Sequence, residues 1–87
     1  MKIAVWDTYV AKNNGTMMHF DILVPSELKD TETIFQYGQH YLLQKGQEDQ
    51  HLTAQECRLC HTEHASPDVA SAIRHQGYAI VQLQGCD

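Results

Sequence analysis

Lys2-Ile3-Ala4-Val5-Trp6-Asp7-Thr8-Tyr9-Val10-Ala11-Lys12-Asn13-Asn14-Gly15-Thr16-Met17-Met18-His19-Phe20-Asp21-Ile22-Leu23-Val24 decides the fold. Strand-forming residues run over 2–10 and again over 16–24, and the Asn13-Asn14-Gly15 triplet between them carries turn chemistry, so the stretch reads as a β-hairpin. A three-residue loop with Gly15 in the left-handed conformation sets Trp6 opposite Ile22, Thr8 opposite Phe20 and Val10 opposite Met18. One face then becomes almost wholly apolar. A two-residue loop would pair Trp6 with an odd-numbered residue and mix the faces, so the hydrophobic pattern selects the odd loop.

The other face carries Val5 and Leu23, but also Asp7 facing Asp21 and Tyr9 facing His19. Carboxylates directly across a strand pair repel, and such a pair is solvated, joined by a partner such as an imidazolium, or holds a shared proton or cation. Asp7, Tyr9, His19 and Asp21 are therefore a candidate polar site. The plainer reading is a half-wet sheet face with a satisfied histidine.

Downstream, Pro25 ends the second strand, and Asp30 or Thr31 caps a helix reaching about Lys45, with Gly46 as its left-handed stop. Ile34, Gly38, Tyr41, Leu42 and Lys45 follow helical spacing and predict a stripe lying on the hairpin, with Gly38 permitting close approach. Thr53-Ala54-Gln55-Glu56 has capping-box spacing and predicts a short helical turn through the cysteine motif. Helical geometry there would align Cys57, Cys60, His61 and His64. Ser66-Pro67-Asp68 starts another helix with Val69 and Ile73 on its buried edge, and Gly77 stops it. Residues 78–83 are apolar at almost every position and predict a third, well-covered strand, followed by a tail over 84–87 that holds Cys86. The expected fold is α+β: a small two-layer domain over residues 1–87, with the N-terminal hairpin and a C-terminal strand in one sheet packed against two helices.

Cys57-Arg58-Leu59-Cys60-His61 is the chemically distinctive motif. Thiolate sulfur and neutral imidazole suit zinc, and two cysteines separated by two residues can reach one ion. Cys57 and Cys60 bind first and the remaining ligands come from His61, His64, His75 or Cys86; the expected set is Cys57, Cys60, His61 and Cys86, the last brought back by the C-terminal strand to close a structural zinc site. The usual second pair of ligands close in sequence is missing. A redox reading has one of Cys57 and Cys60 attack a disulfide and the other resolve it; Glu56 beside the motif opposes thiolate formation. Cysteines that simply pack in the core are the third reading. Covalent haem attachment is not expected, because it follows export and residues 3–6 are too short an apolar run for a secretory segment.

With 87 residues and 9.9 kDa, the chain can bury one core, hiding roughly 60–65% of the surface the unfolded chain exposes. Eleven acidic residues against six Lys and Arg give a formal charge of −5, with the basic residues scattered. Nucleic acid is not an expected partner, nor is a membrane. With no apolar run of secretory or membrane-spanning length, the chain is expected to be soluble and cytoplasmic, and three cysteines in a reducing compartment do not suggest a disulfide framework.

Val5-Trp6-Asp7-Thr8-Tyr9-Val10, Met18-His19-Phe20-Asp21-Ile22, Glu56-Cys57-Arg58-Leu59-Cys60-His61, Gly77-Tyr78 and Gly85-Cys86 together resemble the small bacterial family called domain of unknown function 2024. The resemblance covers nearly the whole chain and implies a compact α+β domain without an assigned biochemical role. The matching positions of interest are Asp7, Tyr9, His19, Asp21, Cys57, Cys60, His61 and Cys86. Function is expected to be binding or regulation by a small soluble protein with a structural Cys/His zinc site and an unknown protein or small-molecule partner. The alternative is a small thiol oxidoreductase using Cys57 and Cys60.

Overall fold

A computed structural model describes residues 1–86. The elements are β1 (Lys2–Ala11), β2 (Met17–Pro25), α1 (Thr31–Gln44), β3 (Cys57–His64), α2 (Pro67–Gln76) and β4 (Ala79–Gln84). One antiparallel sheet has the order β3-β1-β2-β4, which places the hairpin at the centre.

The hairpin register is the one its hydrophobic pattern selects. Trp6 pairs with Ile22, Thr8 with Phe20, Val10 with Met18, Asp7 with Asp21 and Tyr9 with His19. The Lys12 amide donates to the Thr16 carbonyl across the loop, and Gly15 sits at φ +88°. That positive φ costs a glycine nothing sterically and closes the three-residue turn.

The even-numbered face is the larger core. Ala4, Val10, Met18, Phe20, Ile22 and Val24 pack beneath α1 through Ile34, Tyr41 and Leu42, with Leu52 plugging the cluster from the following connection. Asp30 caps α1 by accepting from the Glu32 amide, as the sequence predicts. Gly38 is buried where the helix presses on the sheet: a Cβ there would collide with the side chains of Leu52 and Ile22. Lys45, the last member of the expected stripe, is exposed at the cap, its ammonium 5.8 Å from the centre of the Tyr41 ring.

On the odd-numbered face, Ile3, Val5, Leu23, Ile73 and Ala79 form a smaller cluster beneath α2. Ser66 caps that helix, Pro67 opens it and Gly77, at φ +96°, ends it. The two helices therefore lie on opposite faces, which replaces the expected two layers with three within the same α+β class. The chain must cross from the β3 edge of the sheet to the β4 edge, and α1 already occupies the even face.

Two further expectations change. The Thr53–Glu56 capping box forms, with the Glu56 carboxylate accepting from both the amide and the hydroxyl of Thr53, but it closes a single turn. The chain then extends as β3 instead of continuing as a helix, because β1 offers an unpaired backbone edge that Cys57–His64 can satisfy. The strand expected to be well covered, β4, is an edge strand. Only its first end is buried by α2, leaving Val81 and Leu83 exposed. Asp87, part of the expected tail, lies outside the described residues. Among the described residues, no helix is long and apolar enough to cross a membrane.

Candidate functional site

Because α2 shields only one end of the odd-numbered face, the apolar cover stops at Val5 and Leu23. The next pair along the central strands is Asp7 and Asp21, and beyond it lie Tyr9 and His19. Alternation along two paired strands thus delivers two carboxylates and an imidazole to one half-buried spot beside an apolar cluster.

The His19 ring stacks on Tyr9, with centroids 4.0 Å apart and planes 9° from parallel. That contact aims Nε2 of His19 at Oδ1 of Asp7, 2.5 Å away, with the two side chains 19% and 34% exposed. One ligand atom each from Asp7, His19 and Asp21 lies within 4.8 Å of the others. Burial raises the Asp21 carboxyl above its ordinary range, and the Asp7 carboxylate beside it pushes the same way. His19 and His61 pull it back down. Arg58 stands opposite Asp7 on β3, yet its guanidinium donates to the Ala54 carbonyl at 3.1 Å. A small depression next to the group is lined by Asp7, Tyr9, Gln55, Glu56 and Arg58.

The cysteines take different positions from those expected. Cys57 is buried on the even face, its sulfur accepting from the Thr8 hydroxyl at 3.4 Å. Burial raises its thiol above the ordinary range. Cys86 is buried past the end of β4, where its thiol lies 3.4 Å from the carbonyls of His19 and Gln84. Three strand spacings, roughly 14 Å, separate that edge from β3. Cys60 is exposed, and His61 lies on the odd face opposite Val5. Among the described residues, Cys57, Cys60, His61 and Cys86 therefore do not converge on a common centre, and Asp7, His19 and Asp21 are the ligand-bearing residues that do. The physical reason is the strand: residues three apart point to opposite faces of a sheet, whereas on a helix they share one. The same geometry parts Cys57 from Cys60 as a redox pair. His64, at the far end of β3, pairs with Lys2.

Two contacts in series have no counterpart among the expected sites. The Cys60 sulfur lies 3.2 Å from Nδ1 of His61, whose Nε2 is 2.6 Å from Oε1 of Glu63. The two-residue spacing of His61 and Glu63 is the signal of the second contact once the segment is recognised as a strand.

The model of the family described as "Domain of unknown function (DUF2024)" matches residues 1–83. Among solved structures, the chain is similar to the NMR structure of protein NE1680 from Nitrosomonas europaea, a Northeast Structural Genomics Consortium target. The two are 37% identical with 100% of each chain covered, and their TM-score is 0.85. Comparison with curated proteins gives no match.

Proposed function

The chain belongs to the DUF2024 family, and from that premise we propose that it is a small binding domain whose ligand is a divalent transition metal ion, zinc being the probe of choice, held by Asp7, His19 and Asp21. The observation that carries this reading is the clustering of the three donor atoms within 4.8 Å on the rigid central strands. One imidazole and two carboxylates form a mixed nitrogen and oxygen donor set that suits zinc and its neighbours better than calcium or magnesium.

Two features favour a cation over bare carboxylates. Asp7 and Asp21 repel across the strand pair, and partial burial raises the Asp21 carboxyl; a dication between them relieves both penalties. Tyr9 fixes the His19 ring before any ion arrives, which reduces the ordering cost of binding. Three protein ligands leave a position for water or for an oxygen donor from a small-molecule or protein partner. A cytoplasmic setting belongs to the same proposal, since none of the three cysteines is joined in a disulfide and a reducing compartment supplies the external thiol that returns an oxidised one to that state.

Titrating zinc into chelator-treated protein, with a chromophoric competitor, tests the reading. One ion per chain is expected for the wild type, with at least a tenfold loss of affinity (~1.4 kcal/mol) in Asp21→Asn and in His19→Gln. Unchanged affinity in both variants contradicts it.

A further inference from the structure

The cysteine motif that the cation site leaves unused carries its own chemistry. In a regular strand Cys60 and His61 would point to opposite faces and their side chains could not meet. The β1–β3 ladder breaks register between Val5 and Trp6: Trp6 pairs with Leu59 and Val5 with His61, so Cys60 is the extra residue of a β-bulge. A bulge re-aims the side chains around it. Here it brings the Cys60 sulfur 3.2 Å from Nδ1 of His61. Glu63, two residues on and therefore on the same face as His61, lies 2.6 Å from the other ring nitrogen. Nucleophile, base and base-orienting carboxylate thus stand in hydrogen-bonded series on one exposed edge strand.

We propose that Cys60 is a thiolation site: its sulfur, activated by His61 and Glu63, attacks small-molecule disulfides of the glutathione class and retains half of them as a mixed disulfide. Nε2–H of His61 donates to the Glu63 carboxylate, which leaves the Nδ1 lone pair facing Cys60. The thiol proton passes to Nδ1. The resulting thiolate attacks one sulfur of the disulfide, the new sulfur–sulfur bond forms as the old one breaks, and the departing thiolate takes the proton from Nδ1. Cys60 is oxidised to the mixed disulfide, and the other half of the reagent leaves reduced as a free thiol.

The product persists because the fold holds the remaining thiols away from it. Cys57 is buried on the opposite face of the same strand and Cys86 is buried at the other edge of the sheet, so neither can displace the adduct. An internal resolving step, which a thiol oxidoreductase needs, is therefore missing, and reversal falls to an external thiol. This chemistry uses none of the proposed cation ligands, so it stands or falls separately from that site.

The test combines adduct mapping with alkylation kinetics on the intact, metal-free chain. Oxidised glutathione at pH 7 should add one glutathione per chain, mapped to Cys60 and absent from Cys60→Ser. Iodoacetamide should modify Cys60 of the wild type at pH 7 at least about tenfold faster than it modifies Cys60 of His61→Gln, with Glu63→Gln between them. At pH 9, above the ordinary thiol value of about 8.5, thiols ionise unaided, and wild type and His61→Gln should react alike. Equal rates at pH 7, a tenfold gap that survives at pH 9, or an adduct mapped to Cys57 or Cys86 would each overturn the proposal.

Discussion

Asp7 and Asp21 are direct cross-strand partners at the centre of the sheet, on the face that α2 leaves open. Like charges in that relationship destabilise a strand pair by roughly 0.2–1 kcal/mol. In chelator at pH 7, Asp21→Asn should therefore raise the stability of the chain by about 0.5 kcal/mol in urea denaturation, and saturating zinc should reverse the order by stabilising the wild type about 1.4 kcal/mol more than the variant for each tenfold difference in affinity.

The same pair predicts a pH dependence. The Asp21 carboxyl lies above its ordinary value of 3.8 in the folded chain, so the folded state binds that proton more tightly than the unfolded state does. Its penalty is fully present at neutral pH and fades as pH falls through the raised folded value toward the ordinary one. The stability advantage of Asp21→Asn over wild type should accordingly shrink on acidification below neutral pH in metal-free buffer. An advantage that grows on acidification would contradict the assignment.

Gly38 is where α1 touches the sheet through backbone. Alanine there would gain about 0.5–1 kcal/mol of helix propensity but drive its Cβ into the ends of Leu52 and Ile22. Overpacking of that kind costs roughly 1–3 kcal/mol, so Gly38→Ala should be net destabilising by about 1 kcal/mol in thermal or urea melts.

Cys57 separates the core reading of the motif from a thiolate metal site. Cys57→Ala removes a buried side chain and the acceptor of the Thr8 hydroxyl, although that hydroxyl keeps a contact with the Trp6 carbonyl. It should destabilise the chain by about 1–2 kcal/mol while leaving zinc stoichiometry and affinity unchanged. Loss of zinc binding in a folded Cys57→Ala chain would return the metal to the cysteines.

The hairpin, both long helices and their caps were legible because each rests on local chemistry. Asn13-Asn14-Gly15 fixes a turn, alternation fixes its register, and Asp30 and Ser66 mark helix starts with their own side chains. The polar face of Asp7, Tyr9, His19 and Asp21 follows from that register alone. β3 was not legible: Cys57–His64 shows no alternation of apolar residues, and all but its first residue are exposed. A capping box stands directly before it, yet pairing with β1 overrides that local helix signal. Reading the segment as a helix gathered the cysteines and histidines on one side, whereas the strand spreads them over two faces. The Cys60–His61 contact was hidden for a related reason, since it exists only through a bulge that no residue type announces.

X-ray absorption at the zinc edge, on protein loaded with one equivalent of zinc, tests the placement of the ion most directly. A first shell of nitrogen and oxygen donors at about 2.0–2.2 Å with no sulfur is expected, abolished when both Asp21→Asn and His19→Gln are present. A sulfur shell near 2.3 Å would contradict it and assign the ion to the cysteines.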